Sequence, residues 1–140
     1  IHNSIIMGFG EGVNLTTVGG SNGNSRDRLA SGDIAFKNNI WSQVANNTSS
    51  GIANGYVPLQ AYLEDETNGN EISDAPGISI TERKFTLVPD QGSLALTKPR
   101  STLPENANQF TYEAADFIGA FGSANWLKGW TAVDAYGLLP

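Results

Sequence analysis

The residues best suited to chemistry fall into three groups. The acidic segment 64–74 places Asp65, Asn68, Asn70, Glu71 and Asp74 around Gly69, with Thr67 among them. Carboxylate, amide and hydroxyl oxygens are the hard donors that calcium takes, and a glycine permits the tight turn of a binding loop. Those five residues are the candidate calcium ligands, although their spacing is not that of an EF-hand, and a solvated acidic loop is the better account of them. The second group is Arg26-Asp27-Arg28 with Asp33 close behind. Mixed charges of this kind grip acidic sugars, and glycoside cleavage needs two carboxyls roughly 5–9.5 Å apart; charges that solubilise a loop are the simpler alternative. The third group is Trp41, Trp126 and Trp130, whose flat faces suit sugar rings while nearby amides suit sugar hydroxyls. Trp41 is the candidate glycan contact.

Other chemistries are excluded by composition. His2 is the only histidine and there is no cysteine, so the chain holds neither a Ser-His-Asp relay nor a multi-histidine or thiolate metal centre of its own. Gly8-Phe9-Gly10-Glu11-Gly12 has phosphate-loop glycine spacing, but no Gly-Lys-Ser/Thr follows and turn glycines explain it. A net charge of −6 with eight scattered basic residues opposes binding to nucleic acid and to anionic membranes. No apolar run approaches the roughly 20 residues of a spanning helix, so membrane insertion is not expected. No catalytic residue is assigned, and calcium is the one cofactor the sequence raises.

The elements that position these residues read as short strands and turns. His2-Asn3-Ser4-Ile5-Ile6-Met7 overlays Lys37-Asn38-Asn39-Ile40-Trp41-Ser42 at an offset of 35 residues, with Asn3 on Asn38 and Ile5 on Ile40. Stacked coils recur in this way, with amide ladders between equivalent asparagines and aliphatic side chains piled inside. Trp41 replaces Ile6 in the overlay. Alternation continues at Ile78 and Ile80, at Phe85 and Leu87, and at Leu94 and Leu96. Pro58, Leu59, Tyr62 and Leu63 carry helical spacing, which predicts a short helix over 57–66. Segments 19–29 and 64–76 read as loop excursions, and 98–109 as an irregular wrapping stretch punctuated by Pro99 and Pro104.

The C-terminal stretch concentrates aromatics and glycines: Phe117-Ile118, Gly119-Ala120-Phe121-Gly122, Asn125-Trp126, Gly129-Trp130-Thr131 and Tyr136-Gly137. It resembles the "GAFG..NW..GWT" ending of large secreted or lipid-anchored Bacteroidetes repeat proteins, many of them expected to be right-handed parallel β-helices. The resemblance implies a location outside the cell or on the outer-membrane surface of a bacterium, with no catalytic residues to transfer.

The expectation is therefore an all-β chain of one domain, the C-terminal coils of a right-handed parallel β-helix. Residues 1–97 form the last coils, and 98–140 a wrapping segment and cap in which Phe117, Phe121, Trp126, Trp130 and Tyr136 are buried. Its partner is the remainder of a longer parent protein before residue 1, with other surface proteins or glycans in addition. The expected role is a non-catalytic structural module; a glycan-binding or adhesion module and a polysaccharide lyase or hydrolase are the alternatives. Exposure of the terminal rings would favour glycan binding.

Overall fold

The computed structural model describes residues 1–18, 23–103 and 112–140. Its centre is a parallel sheet of three very short strands, β1 (Ile5–Met7), β2 (Ile40–Ser42) and β3 (Glu71–Ile72), in the order β1-β2-β3. Ile5 lies opposite Ile40 and Ile40 opposite Glu71, and a bridge from His2 to Lys37 carries the same register back towards the N-terminus. The overlay of 2–7 on 37–42 thus corresponds to a physical pairing. Strand β3 lies inside the segment expected to be a loop.

The approach to each strand is stereotyped. Asn3, Asn38 and Gly69 all sit in the left-handed region, at φ 51, 54 and 63°. Asparagine and glycine are the residues that enter that region most readily. The following residues, Ser4, Asn39 and Asn70, form a hydrogen-bonded ladder, Ser4 through its backbone and the two asparagines through their side chains. The Asn39 amide oxygen accepts from the Ser4 backbone N–H at 3.0 Å, and its NH₂ donates to the Asn70 side-chain oxygen at 3.2 Å. Asn70 in turn donates to the Phe36 carbonyl at 2.7 Å and accepts from the Trp41 indole at 3.3 Å. Glycine at 69 has a local cause, because a Cβ there would stand 2.5 Å from the Asn38 amide nitrogen.

Strand alternation sends Ile40 and Trp41 to opposite faces, and each face has its own core. Trp41 packs with Leu15, Leu29, Phe36, Val44, Ile52, Leu59 and Leu63. Ile40 packs with Ala95 and Ile118, flanked by Ile5 and Leu94.

The larger core is closed by helices. Helix α1 (Ser25–Ser31) starts at Asn24, whose side chain accepts from the Asp27 N–H, and stops at Gly32 with φ 84°. Helix α2 (Ser49–Ile52) is capped by Thr48, and α3 (Val57–Glu64), with proline in its first turn, buries Leu59 and Leu63. Downstream come an antiparallel hairpin, β4 (Ser79–Thr81) and β5 (Lys84–Thr86), then α4 (Leu94–Thr97) and α5 (Ala132–Ala135).

These elements correct the all-β expectation. Among the described residues helices make up 26% and strands 13%, and the sheets there do not form a β-helix or solenoid. The physical reason lies between the strands. There the chain meets strong local helix signals, the Asn24 and Gly32 caps and the apolar face of α3, and those helices cover Trp41 where further sheet faces would have been required. The excursion expected at 19–29 contains most of α1, its residues 19–22 lying outside those described. Leu94 and Leu96, expected in a strand, belong to α4, whose Leu96 and Thr97 N–H groups both donate to the Ser93 carbonyl. The wrapping stretch 98–109 is described only to 103, where 99 and 101 dock on the strand entries: the Asn38 amide donates to the Pro99 carbonyl, and the Asn3 amide exchanges hydrogen bonds with Ser101.

Two substitutions test this arrangement. Asn39→Ala is expected to lower unfolding free energy by about 1–3 kcal/mol, since it strands buried polar partners, and Gly69→Ala to destabilise through the clash with Asn38. Urea melts read both; an unchanged midpoint in either variant would contradict the ladder.

Candidate functional site

The C-terminal segment enters the fold through one residue. Ile118 is fully buried; its N–H donates to the Ala95 carbonyl at 2.7 Å, and the next N–H, of Gly119, donates to the Asn3 carbonyl at 2.9 Å. That seat fixes the start of the aromatic stretch against β1.

Beyond it the rings stack on one another. Phe121 and Trp126 have centroids 5.4 Å apart and planes within 10°, and Trp126 and Trp130 follow at 6.1 Å and 22°. Phe117 lies over Gly122, where a Cβ would come within 2.6 Å of its ring. Both indole N–H groups are satisfied by nearby backbone, Trp126 on the Ala120 carbonyl at 3.0 Å and Trp130 on the Trp126 carbonyl at 2.6 Å. The indoles are therefore oriented without burial, with Trp126 53% and Trp130 69% exposed.

This corrects the buried cap. Trp126, Trp130 and Tyr136 are exposed, Phe117 and Phe121 are half-buried, and the buried residues of the described segment are Ile118 and Leu139. An indole is forced inside only if its apolar area finds no other cover; here stacking removes part of that area from water.

Beside Trp130 opens a shallow depression of about 360 Å³, lined also by Gly129, Thr131, Ala132 and Asp134. Asp134 is held by the Gly129 N–H at 2.7 Å, and the Thr131 hydroxyl accepts from the Asp134 N–H at 3.3 Å while capping α5. A flat apolar face next to a fixed carboxylate and a hydroxyl can stack on a sugar ring and accept hydrogen bonds from its hydroxyls.

Trp41, the candidate glycan contact, is 2% exposed and packs at 6.0 Å against Phe36. Its place opposite Ile6 puts it on the larger core's face of the sheet, so it cannot meet a ligand.

The candidate calcium ligands are each engaged elsewhere. Asp65 accepts from the hydroxyl and the N–H of Thr67, contacts that in this order hold its carboxyl below the usual value. Asn68 is buried and donates to the Tyr62 carbonyl, Asn70 is the end of the ladder, Glu71 pairs with Lys98 at 3.3 Å, and Asp74 accepts from Asn47. Among the described residues no group of three or more His, Cys, Asp or Glu could hold a metal ion. The structure uses this segment as strand and turn.

The charged group at 26–33 is likewise divided. Asp27 turns back to the Asn24 amide, Asp33 accepts from the Ser31 hydroxyl, and Arg26 lies over Tyr56. Among the described residues no helix is long and apolar enough to cross a membrane.

Comparison with protein-family models, with curated proteins and with solved structures finds no match to this chain.

The division between seat and stack is measurable. Ile118→Ala is expected to cost about 2–5 kcal/mol, as for other buried aliphatic truncations. Trp130→Ala should shift the same denaturation curve far less, and an equal or larger loss would show that the ring belongs to the core.

Proposed function

We propose that this chain is a non-catalytic binding module that takes a glycan at the aromatic stack Phe121, Trp126 and Trp130, with the outer face of Trp130, beside the depression, as its platform. The observation that carries the reading is the pair of exposed indoles whose N–H groups are already bonded to backbone. Their orientation is set before any ligand arrives, so little side-chain entropy remains to be lost on binding. Contiguous exposed aromatic surface marks interaction sites more often than chance. The Asp134 carboxylate and Thr131 hydroxyl supply polar contacts at the Trp130 end. Presentation on the surface of a bacterial cell, as part of a longer protein, belongs to the same proposal and rests on the resemblance of the terminal motif.

A structural role is the second reading, and the burial of Ile118 against Ile40 and Ala95 favours it. Segment 117–140 would then serve chiefly to close the smaller core. Deleting 117–140 should lower the melting temperature and expose Ile40. If glycan binding fails while the deletion unfolds the protein, the structural reading stands alone.

The binding reading is tested by titrating the chain with neutral oligosaccharides while following tryptophan fluorescence. A saturable change with at least one neutral glycan is expected, and Trp130→Ala should weaken it about tenfold or more, equivalent to about 1.4 kcal/mol. No response from the wild type across cellulose, xylan, mannan and galactan oligomers, or undiminished binding by the variant, would overturn it.

A further inference from the structure

The cleft between α1 and α3 is built around a guanidinium fixed from two sides. Arg26 donates from Nε to the Leu15 carbonyl at 2.9 Å, and its Cζ stands 4.3 Å from the centroid of the Tyr56 ring. The ring quadrupole attracts the cation, and the planar group keeps its remaining donors in a fixed fork. Neither contact uses the terminal Nη groups, which meet no acceptor among the described residues.

Arg26 lines a cavity of about 460 Å³ with Ala30, Ser31, Tyr56, Pro58 and Tyr62. That volume lies within the roughly 300–1,000 Å³ of small-molecule sites. Tyr62 is anchored edge-on to Phe36 at 6.5 Å, so one wall of the cleft is continuous with the larger core. Both tyrosines are half-buried, and neither phenol hydroxyl has a hydrogen-bond partner among the described residues. A preset donor fork thus stands beside two unused hydroxyls.

We infer that this cleft binds the carboxylate of a uronic acid residue, with the Arg26 Nη groups on the carboxylate and the Tyr56 and Tyr62 hydroxyls directed to the sugar hydroxyls. Paired N–H donors in one plane match a carboxylate bidentately. The surroundings distinguish a sugar from an acidic peptide. Asp27 lies on the same helix and Asp33 just beyond it, in a chain of net charge −6. Neither aspartate lines the cavity, whose polar side chains besides Arg26 are the Ser31, Tyr56 and Tyr62 hydroxyls. Each uronic acid residue offers a carboxylate to the fork and ring hydroxyls to the phenols, whereas an acidic peptide has no hydroxyls to meet them. The inference is independent of the Trp130 strip, and either site can exist without the other.

Isothermal titration of the whole chain with a galacturonic acid trimer, a neutral galactose trimer and a triglutamate peptide tests it. The galacturonic acid trimer should bind about tenfold or more tightly than either competitor, and less tightly as salt is raised. Arg26→Lys, which keeps the charge but loses the fork, should weaken that binding. Ala30→Glu alters an exposed lining residue and leaves both Arg26 contacts in place; it should weaken binding with an unchanged melting temperature. Trp130→Ala should leave galacturonate binding intact, which separates this site from the aromatic strip. Equal binding of the neutral trimer, tighter binding of the peptide, or galacturonate affinity unaltered by Ala30→Glu would overturn the inference.

Discussion

Asn39 has no exposed surface, so its amide must find every partner inside the protein. It does so by joining its own stretch to two others, through the Ile1 carbonyl and the Ser4 N–H on one side and the Asn70 side chain on the other. Only parallel strands in one register bring those groups together, and a slip by one residue would turn Ile40 and Trp41 to each other's faces. The bond is modest in net energy. Its weight comes from the cost of leaving a buried amide unpaired, which selects one register from several that hydrophobicity alone permits.

Everything that presents a surface depends on that choice. With Trp41 turned to one side, α1, α2 and α3 have a core to pack on, and the Arg26 cleft between α1 and α3 follows from that packing. With Ile40 turned to the other side, Ala95 and Ile118 have a partner, and Ile118 carries the terminal segment into place. The aromatic strip begins three residues after that anchor. It is held by its own stacking and by indole bonds to nearby carbonyls, so its order comes from local contacts and its attachment from the sheet.

The first two tiers of the sheet were legible because Asn and Ile recur at the same spacing in 2–7 and 37–42. The third tier was not. Gly69 replaces the asparagine of the turn because the Asn38 amide fills the space of a Cβ, and Glu71 replaces isoleucine because Lys98 is there to pair with it. Both substitutions erase the pattern and leave what reads as an acidic loop. The helical spacing at Pro58, Leu59 and Leu63 was legible, and α3 occupies it. Leu94 and Leu96 misled because two apolar residues separated by one fit a strand or a single helical turn, and the Ser93 carbonyl decided for the turn. At the C-terminus ring density does not translate into burial. What sequence composition does not reveal is where each indole N–H will bond, and bonds to adjacent backbone removed the need for the interior.

Native-state hydrogen exchange is the most direct measure of whether the ladder governs the fold. The N–H groups of Gly8, Ile40, Glu71 and Ser73 cross the three tiers, bonding the carbonyls of Ser42, Ser4, Asn39 and Trp41. If the ladder is the constraint on which the rest depends, these amides exchange only through global unfolding, and those of α5 and the β4–β5 hairpin exchange earlier. Retained protection in α5 or the hairpin after the four ladder amides have exchanged would contradict that dependence.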